Sequence, residues 1–404
     1  MSESHHELAA GVHRTDLLMA DGRTIRYYDT SDITRAAIDH RSPQLRPPIA
    51  TLRLDPLTNE WTTVAAHRQS RVFLPPKELC PLCPTQPGLE SEIADSSYTV
   101  VVFDNRSPSF ADPGEGFALP TWAGLKTKVG EAAGKCEVIC FTDHHETSFH
   151  QLSEEQIRVV LEALRDRTRE LSQEKHIAHI ASFENRGEEV GVTLSHPHGQ
   201  IYAYPFLPPR TATMLKAAKK FYKETGKIAL EEIIKREVKD KVRIVTENDH
   251  WIAYVPFAAR YPFEIHVAPK RSVADLAELS DEQADAYPSI AKEVLQRLDG
   301  VFGIDMAYIA AWHQAPVRKG RDVMRLHWQI TSVRRAPGKL KYLAGSESAF
   351  GAFIMDLAPE QSAQQLRDVR LPKSGKAGKM GKSGKTEKAA GIGRFSRAGR
   401  SGRS

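Results

Sequence analysis

The stretch Ser195-His196-Pro197-His198-Gly199-Gln200 sets two imidazoles two residues apart across a proline and follows them with a glycine and an amide. Proline fixes its own φ and drives the preceding residue toward extended backbone, so His196 and His198 keep a defined separation. In an extended segment, residues two apart point the same way. A neutral imidazole can attack phosphorus, and Gln200 supplies a donor for phosphoryl oxygens, while Gly199 lets a ligand come close to the backbone. The segment therefore predicts phosphoryl or nucleotidyl transfer; His-x-His alone is equally compatible with a turn carrying two structural histidines.

Cys80-Pro-Leu-Cys83 is the second chemical feature, with the knuckle spacing that lets two thiolates converge on one ion. Such a site needs two further ligands. A redox role is disfavoured by the proline-rich surroundings, and the remaining cysteines, Cys136 and Cys140, lie in an apolar strand and are expected in the core.

The elements that position these residues are repeated. CEVICFTDHHETSFHQLSEEQ (136–156) and FEIHVAPKRSVADLAELSDEQ (263–283) match at an offset of 127 residues, each reading as strand, connection and a Ser-x-x-Gln capping box. The helix after Ser153 carries a one-sided apolar stripe, Ile157, Val160, Leu161, Leu164 and Leu171. Behind each helix comes another strand, then HPHGQI in the first copy and LHWQI (326–330) in the second. Aligned so, His196 faces His327 and His198 faces Gln329, which leaves both imidazoles in the first copy alone.

The chain has 404 residues, of which 41% are hydrophobic, enough for a sizeable core. It shows no apolar run of membrane-spanning length and no signal-peptide core at its start, so a cytoplasmic protein is expected. The net charge is +5, but the tail from Leu371 holds six Lys, four Arg and one Glu; subtracting its +9 leaves about −4 for the body. That distribution argues against a nucleic-acid-binding body, and the Lys/Gly/Ser/Arg tail (371–404) reads as disordered.

GVTLSHPHGQIYAYPFLP resembles the signature of the galactose-1-phosphate uridylyltransferase family, a duplicated branch of the histidine-triad superfamily. LDPLTNEWTTVAAHRQSR (54–71), CPLC, FDNRSPSF (103–110), EVICFTDHH, FENRGEEVG (183–191), WHQAP (312–316) and KYLAGSE (341–347) follow in the family's order and cover about residues 48–370. The resemblance implies an α+β fold, a duplicated histidine-triad-like α/β unit whose copies form one extended, mostly antiparallel sheet flanked by helices. The implied organisation is an N-terminal extension (1–47), a first half with the metal site and nucleophile (48–210), a second half (211–370) and the tail.

By the same resemblance, His198 takes a uridylyl group from UDP-glucose and passes it to galactose 1-phosphate, with Gln200 on the phosphoryl oxygens. Arg68, Arg71, Asn105, Asn185 and Thr193 then fall where the family binds the nucleotide sugar, and Lys341 and Glu347 where it contacts the far end of the substrate. A homodimer is implied, with Arg68 and Arg71 acting across the interface. Structural zinc is implied on Cys80, Cys83, His145 and His196. The family's second metal, iron, is not expected: His313 and His327 match two ligands, but Gln329 and Met214 stand at the other two. Two alternatives stay open, a related enzyme using ADP-sugar or dinucleotide substrates and a non-catalytic zinc-stabilised nucleotide-binding module.

Overall fold

The computed structural model describes residues 4–42, 50–70, 74–111, 122 and 127–371; Arg71 and the basic tail from Pro372 lie outside the described residues. Strands in chain order are β1 (Ser4–Glu7), β2 (His13–Leu18), β3 (Thr24–Asp29), β4 (Thr51–Asp55), β5 (Glu60–Val64), β6 (Val100–Asp104), β7 (Val129–Glu131), β8 (Lys135–Cys140), β9 (His179–Arg186), β10 (His198–Tyr204), β11 (Ile244–Glu247), β12 (Trp251–Tyr254), β13 (Phe263–Pro269), β14 (Tyr308–His313), β15 (His327–Ser332), β16 (Arg334–Ala336) and β17 (Lys339–Leu340). The helices are α1 (Glu154–Leu171), α2 (Pro209–Thr225), α3 (Ala229–Asp240), α4 (Asp281–Gly300), α5 (Gly345–Phe350) and α6 (Pro359–Asp368).

Twelve strands form one antiparallel sheet in the order β1-β2-β3-β6-β8-β10-β9-β14-β15-β13-β12-β11. The duplication is visible in its middle: β8-β10-β9 from the first copy meets β14-β15-β13 from the second, and β9 pairs with β14 from Tyr308↔Arg186 to Ala311↔Phe183. The expected α+β architecture is thus present, with one continuous sheet across both copies.

The predicted stripe on α1 is buried against the sheet together with Ala284, Ile290, Val294 and Leu298 of α4 and Ile139, Ile201, Ala203, Ile265 and Ile330 of the strands. Each such Val, Leu or Ile side chain contributes about 1.5–3 kcal/mol on burial. Because side chains alternate along a strand, His198, Gln200 and Tyr202 point to the opposite face. There Tyr202 packs with Leu52 of the small β5-β4-β7 sheet and with Phe110 and Cys136, while the Cys80–Cys83 loop packs on Val138 and Cys140.

One feature goes beyond the sequence reading and one departs from it. First, the opposite face of α1 is not solvated: Arg167 pairs with Glu137 at 2.7 Å, Asp166 takes bonds from Arg14 and Tyr28, and Arg165 donates to Glu162 and to the Leu279 carbonyl. Residues 4–29 extend the sheet by three strands and cover that face. Second, of the two predicted capping boxes only the one at α4 is complete; at α1, Ser153 accepts from the Gln156 amide N–H, but the Gln156 side chain reaches the carbonyls of Thr99 and Phe141 instead, tying the helix start to β6 and β8.

Candidate active site

His198 opens β10, and its Nδ1 lies 2.7 Å from the His196 carbonyl. A carbonyl only accepts, so Nδ1 carries the proton and the lone pair sits on Nε2. Gln200 lies two residues further on the same face; its Oε1 is buried and has no hydrogen-bond partner among the described residues. Such an orphan costs about 1–3 kcal/mol in the isolated chain, and a half-turn of the amide presents its donor end at the same place.

His198 and Gln200 line a cleft of about 210 Å³ with Arg68, Phe183, Asn185, Gly191, Val192, Thr193, Gly199 and Tyr202. Strands β9 and β10 supply its floor, the turn of residues 191–193 one wall, and Arg68, which donates to the Ser107 carbonyl at 2.9 Å, another. Gly199 has a reason the sequence reading did not give. A Cβ there would meet the Phe141 ring at 2.9 Å and the Phe183 carbonyl at 3.0 Å, so packing beneath the strand demands glycine.

One ligand atom from each of Cys80, Cys83, His145 and His196 lies within 4.8 Å of the others. Cys83 Sγ is 3.3 Å from His145 Nδ1 and 3.5 Å from His196 Nδ1. His196 Nε2 faces the Thr142 carbonyl at 2.8 Å and the Tyr98 hydroxyl at 3.0 Å, whose own proton goes to the Leu82 carbonyl. The proton on Nε2 therefore leaves the Nδ1 lone pair aimed at the sulfurs, and His145, with Ser195 Oγ at 3.1 Å from its Nε2, is held likewise.

Burial holds His196 down at about 4 and lowers His145, so both rings are neutral, as a metal requires. The Cys83 thiol is pushed up to about 12 by burial and by neighbouring Cys80, and would lose its proton only to a cation. The four residues fit a divalent metal. Cys136 and Cys140 are buried in the core.

Two family models divide the chain between them: one described as "Galactose-1-phosphate uridyl transferase, N-terminal domain" matches residues 42–208, and its C-terminal counterpart matches residues 214–377. The chain belongs to the galactose-1-phosphate uridylyltransferase family. The family's member from Streptomyces lividans is 38% identical over 375 residues, spanning 89% of this chain and 98% of the relative. A solved uridylyltransferase superposes with a TM-score of 0.70 at 33% identity, covering 78% of this chain and 97% of its own. An ADP-glucose phosphorylase from Arabidopsis thaliana, solved with bound ADP-glucose, gives 0.61 at 26% identity, covering 80% and 100%.

Of the residues assigned by resemblance, the structure brings Arg68, Asn185, Thr193, His198 and Gln200 together in this cleft, where Arg68 lines the cleft of its own chain. Asn105 is beside it in the chain fold rather than in its lining: its Oδ1 accepts from the Ser107 N–H at 2.8 Å and shapes the turn that receives Arg68. Lys341 and Glu347 do not line it; they are buried as an ion pair at 3.0 Å, which holds the Glu347 carboxyl below its ordinary range. Phe183 and Tyr202 were missed, although alternation from His198 puts Tyr202 on the same face. Tyr98 carried no motif.

The internal alignment also changes. Gly199 pairs with Ile139 and Trp328 with Val267, so the strands correspond at an offset of 128, not 127. His198 then corresponds to His327 and Gln200 to Gln329. An odd offset would have put Ile139, which faces the helices, on His266, which faces away.

Proposed function

We propose that this family member transfers a uridylyl group from UDP-glucose to galactose 1-phosphate through a covalent intermediate on His198. The observation that carries the reading is the His198 Nδ1 bond to the His196 carbonyl, in a cleft lined by Arg68, Asn185, Thr193 and Gln200. Nε2 attacks the α-phosphorus, the bond to the bridging oxygen breaks, and glucose 1-phosphate leaves. The Nδ1 proton stays on the ring, and the His196 carbonyl dipole stabilises the positive imidazolium that forms. A phosphate oxygen of galactose 1-phosphate then attacks the same phosphorus, the N–P bond breaks, and UDP-galactose departs. The incoming phosphate is already anionic and needs no general base.

Gln200 and Arg68 balance negative charge on the phosphoryl oxygens, while Asn185 and Thr193 orient the nucleotide sugar. Two thiolates and two imidazoles in a closed set suit zinc, which when bound supplies folding energy and no reacting group. His196 then joins the two functions, one nitrogen toward the metal and its carbonyl on the nucleophile. The reading includes two halves (48–210 and 211–370) that share the large sheet, a homodimer with Arg71 reaching across the interface, Lys341 and Glu347 toward the far end of the substrate, and work in the cytoplasm, where thiols stay reduced. No helix among the described residues is long and apolar enough to cross a membrane.

Incubation with UDP-glucose labelled at the α-phosphate should leave acid-labile label on the wild type and none on His198→Gly. Label absent from folded wild type, or retained by the variant, would sink the mechanism. Turnover of ADP-glucose above that of UDP-glucose would move the chain to the phosphorylase reading.

A further inference from the structure

We propose that His5, His13 and Asp32 form a separate site for a borderline divalent cation such as Zn²⁺ at the outer edge of the large sheet. One donor atom from each residue lies within 4.8 Å of the other two. The register of β1 on β2, His5↔Thr15 and Glu7↔His13, makes the two imidazoles diagonal neighbours on one face, with ring centroids 5.6 Å apart and planes at 24°. Asp32 follows β3 and brings its carboxylate to 3.4 Å from His5 Nε2.

Metal bonds of about 2.1 Å set tetrahedral donors about 3.4 Å apart; His5 Nε2 and Asp32 already stand at 3.4 Å, and a pair at the 4.8 Å limit must close by roughly 1.4 Å. His5 and Asp32 are exposed and can make that movement by side-chain rotation. The donors are also poised for it. His5 Nδ1 meets Thr15 Oγ1 at 3.3 Å, which leaves Nε2, the atom beside Asp32, for the cation. His13 Nδ1 is buried with no hydrogen-bond partner among the described residues, so no bond at that atom opposes ring movement.

Two imidazoles with one carboxylate select ions of the zinc, nickel and copper type over Mg²⁺ or Ca²⁺, and three protein donors leave a position for water. The sheet order puts β1 five strands from β10, about 24 Å at roughly 4.8 Å per strand, so the site is independent of the thiolate cluster and of the proposed reaction. Its effect is mechanical. A bound cation ties the edge strand, which pairs only with β2 in the sheet order, to β2 and to the segment after β3.

The test is a Co²⁺ titration of untagged, full-length protein stripped with a chelator. Wild type should bind one equivalent with thiolate-to-cobalt charge-transfer absorbance and another without it. His5→Ala and Asp32→Asn, both at exposed positions, should each weaken the thiolate-free equivalent at least tenfold while leaving the thiolate equivalent and UDP-glucose turnover unchanged. A single equivalent in wild type overturns the proposal, as does a thiolate-free equivalent that survives both substitutions at full affinity.

Discussion

Strands β10 and β15 open alike and end differently in chemistry. Each begins with a histidine whose Nδ1 bonds the carbonyl two residues earlier, His198 to His196 at 2.7 Å and His327 to Arg325 at 3.1 Å, and each has glutamine two residues on. In β15 the Gln329 amide nitrogen lies 2.9 Å from His327 Nε2, the ring is buried against His313, and burial holds His327 down at about 3. In β10 the equivalent histidine lines a cleft and the glutamine keeps an orphan atom. The residue two before differs as well: His196 belongs to the metal cluster, whereas Arg325 is held by Glu231 and Ser272. The frame that orients an imidazole is common to both copies; access, and a neighbour that belongs to the candidate metal cluster, separate the strand proposed to react from its counterpart.

The comparison breaks most sharply at the histidines. His198→Gly should lower kcat by roughly 10⁴-fold or more, as loss of a nucleophile does, while His327→Gly keeps turnover per folded molecule within about threefold and costs stability. Steady-state rates beside denaturant midpoints decide it; equal kinetic losses would mean the two strands share the reaction.

The glutamines come next. Gln200→Ala removes a donor to the phosphoryl oxygens and is expected to cost about 10²–10³ in kcat, with Gln329→Ala near neutral. Stopped-flow formation of the labelled intermediate would expose the opposite pattern.

Cys83→Ala should release the metal, lower the unfolding temperature, and reduce kcat/KM by about 10–100-fold through the loosened His196 carbonyl. Metal analysis and calorimetry on one preparation measure both. Retained metal would show that the cluster is not the ligand set.

The smallest effect is in pH. His327, held at about 3, and His179, held at about 4, both by burial, stay neutral when folded, and their unfolded forms take up protons below about 6.5. Their contribution to stability is complete above that value and is lost as pH falls toward the folded values, by about 1.4 kcal/mol per pH unit for each ring. His327→Gln should flatten the slope by one such contribution in urea titrations between pH 6.5 and 4, and an unchanged slope would count against the buried neutral ring.

Much of the site was legible because its geometry is local. Pro197 between two histidines and the two-residue spacing of Cys80 and Cys83 restrict a few bonds, and extended backbone puts His198, Gln200 and Tyr202 on one face without outside help. The true internal register was hidden by a one-residue difference between the copies in the connection from strand to helix; only strand pairing, with its two-residue period, exposes such a slip. The charged side of α1 was not legible at all, because the groups that bury Arg165, Asp166 and Arg167, among them Arg14, Tyr28, Glu137 and Leu279, come from distant parts of the chain.

The sequence by itself determined which residues could react and which could bind metal, since residue type and short spacing set those capacities. Tertiary structure decided which histidine lines an open cleft. Burial and access depend on groups tens of residues away, and two strands with the same His-x-Gln pattern and the same Nδ1 bond differ in both.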